Sequence, residues 1–269
     1  VVTQNLLRSA FFFAGLFTLL SWELAAPHHS PTVPRLRRWA ANLGLAAING
    51  GVVAGLCAAC YAIAVAGALP WRAGPLELLG PPLWVRLPVE IALLDLVVYG
   101  LHRAYHRAPW LWRFHQVHHS DLDLDVTSAS RFHLGEVLVS AGGKFTAVML
   151  LGISPLGLVA FETVMLLAAQ FQHANVRVRP AVERLLWWTF VPPAMHRVHH
   201  HPARADTDSN FGTLLVCWDR LFGTLRRAER DTAAFGLPEI DRARALRFGG
   251  LLVMPFRRAD PPGPSATAR

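Results

Sequence analysis

Between residues 43 and 69 the chain carries no charged side chain. A helix rising ~1.5 Å per residue needs about 20 mostly apolar residues to cross a bilayer, so this run is long enough to span one. Residues 6–24 form a similar run, with Arg8 and Glu23 only near its ends. It lacks the small-residue cleavage pattern of a leader and is read as a span. Residues 83–101 form a third, weaker run, interrupted by Arg86, Glu90 and Asp95. Residues 137–171 are too many for one crossing, and Gly152 and Pro155 near their middle suit a turn. That run is expected to be a helical hairpin. Lys144 and Glu162 within it must snorkel, face protein or pair with each other. The fold class that follows is all-α: an integral membrane helical bundle of three spans plus a hairpin. Residues 1–260 form one domain, and a Pro/Gly/Ser-rich tail over 261–269 is expected to be disordered.

Composition narrows the function. Only 16% of residues are charged, against about 25% in soluble domains, and three cysteines cannot build a disulfide framework. Cys57 and Cys60 lie inside an apolar span, and Cys217 is expected to be a small core residue. The 26 basic and 18 acidic residues leave a net charge of +8. These charges lie between apolar runs rather than in a basic domain, which speaks for a membrane and against nucleic acid as partner. Arginine-rich and arginine-poor loops alternate, placing residues 26–39, 102–136 and 172–269 together on the cytoplasmic side.

Histidines on that side are spaced as metal ligands. His102 and His106, then His115, His118 and His119, then His196, His199 and His200 recur at intervals of three and four. Such spacing puts side chains on one helical face, about 5–6 Å apart. Pro109 ends the first segment, so the second begins a new helix that folds back on it. Eight imidazoles exceed the four that a zinc ion takes, so the count points to two metal ions. His133 and His173 flank the hairpin and are further candidate ligands. Asp95, Tyr99, His102 and His106 share a face, so Asp95 and Tyr99 are expected to support the ligands from behind, with an ion pair the alternative for Asp95. Asp219 is a further candidate for such support. His28 and His29 are read as a structural loop pair, and His201 as an extension of its group.

These residues resemble the fatty acid hydroxylase/sterol desaturase superfamily of integral membrane proteins. The pattern Asp95-x3-Tyr99-x2-His102-Arg103-x2-His106 resembles its first box, and His115-x2-His118-His119 its second. His196-x2-His199-His200, with Asn210-Phe211-Gly212 and Trp218-Asp219-Arg220-Leu221-Phe222-Gly223-Thr224, resembles its third. Thr127-x3-Arg131-x-His133-x2-Glu136 and His173-x-Asn175 resemble the bacterial sterol-desaturase-like branch, and Asn175 joins the supporting residues on that ground. The resemblance covers residues 90–225. It departs at Leu134, where a proline is expected, and at Arg177, where the fatty acid 2-hydroxylase branch has a further histidine. His133 is expected to take that vacant role.

The resemblance implies a cytosolic histidine-rich helical cap holding a non-haem di-iron centre, in a bacterial inner membrane. Two iron ions, replaceable by zinc on purification, would use O2 as co-substrate to hydroxylate or desaturate a C–H position of a sterol, hopanoid, fatty acyl chain or carotenoid. No haem module or dinucleotide fingerprint is visible, so electrons would come from a separate ferredoxin- or cytochrome-type protein. Arg226, Arg227, Arg257 and Arg258 suit anionic lipid headgroups, or an acidic donor. A membrane zinc-dependent hydrolase and a metal-binding transporter are the alternatives. The first lacks a glutamate beside His102, where Arg103 stands. The second would hold its ligands at mid-membrane.

Overall fold

The computed structural model describes residues 2–65, 74–227 and 234–257. The tail over 261–269 and Arg258 lie outside them, as do the side chains of Cys57 and Cys60. The described residues are helical, without a β-strand. In order they form α1 (Val2–Ala25), α2 (Arg35–Val65), α3 (Pro75–Leu79), α4 (Leu83–Arg107), α5 (Pro109–His119), α6 (Leu134–Leu151) and α7 (Pro155–His173). Shorter helices follow: α8 (Pro180–Thr189), α9 (Pro193–His199), α10 (Arg204–Thr207), α11 (Cys217–Leu221), α12 (Arg242–Ala245) and α13 (Phe248–Val253).

Among the described residues, three helical segments are long and apolar enough to cross a bilayer: Arg35–Leu56, Leu134–Leu151 and Pro155–His173. Only about a fifth of each is buried within the protein. Phe145, Leu150 and Leu156 are among the large apolar side chains they turn outward, as expected where lipid rather than protein covers the surface. The apolar part of α1, Ser9–Ala25, is shorter.

Residues 83–101 do form a helix, but α4 carries too many charged residues, Arg86, Glu90, Asp95, Arg103 and Arg107, to stand with those three. Its polar residues are sheltered by protein. Glu90 and Asp95 are fully buried, and α4 packs against both α6 and α7. An acid is tolerated at such a position when its oxygens are met. The helix therefore acts as an internal spine, with Glu90 at one end and His106 sixteen residues, or about 24 Å, further along.

The hairpin forms as its glycine and proline suggest. Gly152 ends α6 with φ +73°, a left-handed conformation that side chains rarely adopt, and its Cα lies too close to Gly74 to admit a Cβ. Ser154 caps α7 by accepting from Gly157 N. Glu90 then latches the turn, accepting from Ser154 N and Oγ at 2.7 Å each and from Arg86 Nε at 2.8 Å. Arg86 Nη2 also reaches Gly152 O at 3.1 Å. Lys144 and Glu162 pair with each other across the hairpin.

At the other end, two buried arginines organise residues 120–131. Arg38 on α2 makes a bidentate pair with Asp121 at 2.7 and 2.9 Å and reaches Asp125 at 2.7 Å. Arg131 donates to Val117 O, Asn42 Oδ1, Ser120 Oγ and Ala245 O at 2.8–2.9 Å. One guanidinium thus ties α5, α2 and the segment carrying α12. Cys217, expected in the core, is exposed at the start of α11.

Replacing Glu90 by alanine leaves Ser154 and Arg86 without their buried acceptor. We expect a loss of about 2–3 kcal/mol, read as a lower midpoint of thermal unfolding in detergent. A midpoint equal to wild type would show that the latch contributes nothing.

Candidate metal centre

Nine histidines converge at the polar end of α4 and α7 in two groups. The ligand nitrogens of His102, His106, His115, His119 and His199 all lie within 4.8 Å of one another, and so do those of His118, His173, His196 and His200. The first pair comes from the end of α4. The chain breaks at Ala108, and Pro109 opens α5, a good first helical residue because its missing N–H has no partner to lose. The new helix folds back, leaving the rings of His102 and His115 5.0 Å apart and those of His106 and His115 4.8 Å apart. Pro193 opens α9 in the same manner, bringing in His196 and His199, with His200 just past its end. His173 ends α7.

The two His-x-x-His-His motifs split their ligands reciprocally. On α5, His115 and His119 join the first group and His118 the second. On α9, His196 and His200 join the second group and His199 the first. Residues four apart nearly eclipse along a helix, whereas adjacent residues diverge by about 100°. Spacing alone suggested one shared face, but the doubled histidine at the end of each motif straddles two sites.

Most outer nitrogens are spoken for. His102 Nδ1 faces Phe211 O at 2.8 Å, His199 Nδ1 faces Ser209 O at 2.7 Å, and His173 Nδ1 faces Ala169 O at 2.7 Å. His115 Nδ1 lies 2.7 Å from Glu136 Oε1, and His106 Nδ1 3.3 Å from Asp208 Oδ1. Facing an oxygen acceptor, each Nδ1 is the donor, so each Nε2 carries a lone pair. The Nε2 atoms of His102, His106 and His199 are buried without a partner. His173 Nε2 meets His118 Nε2 at 3.2 Å and His196 Nε2 at 3.0 Å, and His200 Nε2 meets His196 Nε2 at 3.0 Å. Nitrogens sharing one ion at ~2.1 Å stand about 3.0–3.4 Å apart. The residues therefore fit two metal ions: orphaned lone pairs, spaced for a common cation, in a buried site. Burial and the neighbouring imidazoles hold His118, His119, His196 and His200 well below the ordinary histidine value, and burial takes His199 down to about 3. At neutral pH these rings are uncharged, the form that ligates.

Other expected site residues lie elsewhere. His133 belongs to neither group and does not fill the role left by Arg177. Its Nδ1 caps α6 by accepting from Gly135 N at 3.0 Å, its Nε2 faces Leu252 O, and its ring stacks on Phe114. His201 pairs with Asp206 outside both groups. None of Asp95, Tyr99, Asn175 and Asp219 hydrogen-bonds to a histidine of either group. Asp95, in no ion pair either, accepts from Leu214 N, Leu215 N and Trp218 Nε1 at 2.8–3.0 Å. Asp219 accepts from Phe211 N and Gly212 N at 2.8 Å each. Tyr99 bonds Thr224 Oγ1 and stacks on Phe222. These three position the loop whose Phe211 carbonyl meets His102. Asn210 turns that loop with φ +55°, clamped to Arg226 and Met195. The Asn175 side chain instead bonds the backbone of His29, and its backbone N–H donates to Glu23 Oε1.

Glu136 and Asp208 are the carboxylates that do meet ligand rings. Glu136 stood in the sequence only as the last residue of the Thr127–Glu136 motif, with no role attached to it, and Asp208 carried no distinguishing signal.

Two outcomes are expected. Glu136→Gln weakens metal retention in the first group by about 10–100-fold, measured by metal analysis after competition with a chelator, while the second group keeps its ion. In chelator-treated protein, the unfolded chain takes up protons near pH 6.5 that the folded chain refuses. The stability contribution is therefore fully present above the unfolded value and falls as pH drops, by about 1.4 kcal/mol per pH unit for each such histidine. Unfolding midpoints should decline between about pH 7.5 and 5.5, and a flat profile would contradict the buried neutral rings.

Ornithine lipid hydroxylase OlsE of Rhizobium tropici is 30% identical over 152 residues, 56% of this chain and 45% of that protein. Human alkylglycerol monooxygenase is 31% identical over 144 residues, 54% of this chain and 31% of its own. Human cholesterol 25-hydroxylase is 27% identical over 139 residues, 51% of this chain and 50% of its own. The chain thus spans half or less of the length of these relatives. No solved structure matches it. The family model for fatty acid hydroxylases matches residues 87–224, a stretch that holds all nine converging histidines, and the chain belongs to that family.

Proposed function

We propose that this chain is an O2-dependent lipid hydroxylase of a bacterial inner membrane, with its metal centre on the cytoplasmic side. The observation that carries the reading is the pair of all-imidazole groups at the ends of apolar helices, in a chain whose relatives are named as hydroxylases and monooxygenases of lipids. His102, His106, His115, His119 and His199 would hold one iron ion, and His118, His173, His196 and His200 the other. Imidazole suits iron, zinc and copper, and five rings in one group exceed the tetrahedral habit of zinc.

Two iron ions there would supply O2 activation, so that one oxygen atom enters a C–H bond and the other leaves as water, with two electrons and two protons consumed. A separate ferredoxin- or cytochrome-type protein would deliver the electrons. The chain's own residues do the rest. Neutral rings leave the positive charge of the ions uncompensated, which favours anionic oxygen ligands at that position. Phe211, Ser209 and Ala169 carbonyls and the Glu136 carboxylate keep the imidazoles aimed. Phe132 stacks on His118 at 4.5 Å, and Phe211 lies 5.1 Å from His106, so aromatic walls help exclude water from both groups. The bilayer brings an apolar substrate to the helix ends without its entering water.

Lipid analysis of a deletion strain, grown with isotope-labelled O2, tests the reading. Wild-type protein should restore a lipid bearing one labelled oxygen, and His118→Ala should not. Anaerobically purified protein should carry two iron equivalents. Absence of any oxygenated lipid, together with absence of iron, would remove the proposal.

A further inference from the structure

Behind the metal centre lies a second concavity. A cleft of about 1170 Å³ opens along α8 and α9, on the side of α9 that carries Ala194, Arg197 and Val198. Six arginines line it, against two carboxylates, Glu183 and Asp206. Four of these arginines are held in place. Arg220 donates to the carbonyls of Trp187 and Trp188 at the end of α8 and lies 5.3 Å over the Trp188 ring. Arg227 lies 5.1 Å over Trp187, Arg226 pairs with Asp206 at 2.6 Å, and Arg197 lies 3.8 Å from Glu183. Arg177 and Arg184, both exposed, have no ion-pair partner among the described residues. The wall is thus pre-organised, and two guanidiniums point their charge into a net-positive cleft.

The helix that forms one wall is not a core helix. No residue of α8 is buried. Val182, Leu185 and Trp188, three apart, turn one apolar face outward, with Leu185 71% and Trp188 74% exposed. Phe190, just past the end of α8, is also exposed. A short helix with an exposed apolar face, an exposed arginine, Arg184, and tryptophan at its end suits a membrane surface.

We propose that the cleft binds the anionic headgroup, phosphate or carboxylate, of a membrane lipid, with α8 seated in the bilayer surface beside it. Arg177 and Arg184 supply the charge, and the half-buried Trp187 lines the wall beside them. The cleft is far larger than a free phosphate needs, and it is concave where a charged protein partner would call for an open face. Arg177, which stands where the resemblance implies a histidine, serves this cleft and lies outside both histidine groups. The proposal needs neither metal nor turnover, so it stands or falls separately from the reaction proposed above.

Titration calorimetry on the full chain in non-ionic detergent tests it, with dihexanoyl phosphatidic acid, dihexanoyl phosphatidylcholine and inorganic phosphate as probes. Phosphatidic acid should bind saturably, at least about tenfold tighter than either of the others, and less tightly as salt is added. Arg177→Gln and Arg184→Gln should each weaken it about fivefold. Both positions are exposed, so the variants should fold and retain wild-type metal content, and Arg113→Gln, outside the cleft, should bind as wild type does. Equal binding of the two lipids would overturn the proposal, as would phosphate binding as tightly as phosphatidic acid. Arginine variants that lose affinity for an acidic ferredoxin but not for phosphatidic acid would overturn it in favour of a protein-docking surface.

Discussion

Nine imidazoles, each with one donor and one acceptor nitrogen when neutral, pack together in the two groups. In this structure protein oxygens take up the outer N–H of five rings and leave bare lone pairs pointing inward. Burial makes a second proton on such a ring costly, so a ring that donates outward keeps only a lone pair inside. A cation shared by those lone pairs settles the arrangement. The rest of the fold can be understood as what is required to hold a set of groups that would otherwise repel.

That scaffolding is polar and buried, and its two arginines are met by carboxylates, carbonyls and side-chain oxygens. Arg38 and Arg131 sit at 1% and 0% exposure, where an unmet guanidinium would be very costly. Burial alone would raise the Asp121 carboxyl, but Arg38 and Arg131 hold it well below the usual carboxylate range. The resulting network fixes the loop after α5 against α2. On the opposite flank, Asp95 and Asp219 grip backbone N–H groups of the 211–215 loop, so the carbonyl of Phe211 is presented to His102. Asp95 thus acts on the centre through a loop, at one remove from any ligand. It is a positioning residue in the same sense as Asn210.

Much of this was legible along the chain because it depends on neighbours in sequence. The hairpin follows from a run too long to cross once, with Gly152 and Pro155 at its middle. The fold-back of α5 follows from Pro109, and the metal-binding character from three- and four-residue histidine spacing. What was not legible depends on pairs far apart in sequence. His133 has the composition of a ligand, yet its position at the start of α6 spends both nitrogens on backbone groups. The carboxylates that reach ligand rings, Glu136 and Asp208, lie 21 and 102 residues from their partners. Asp95 looked like their counterpart because it shares a helical face with His102, but sharing a face fixes only direction, and the loop residues intervene.

The reciprocal splitting of the two His-x-x-His-His motifs has a geometric outcome. Each short helix reaches into both compartments at once through consecutive residues. Any two ions lodged there inherit their mutual distance from the pitch of α5 and α9, a spacing that covalent geometry protects against breathing of the surrounding loops. The cap therefore couples the two compartments: a shift of α5, or of the end of α9, moves ligands in both.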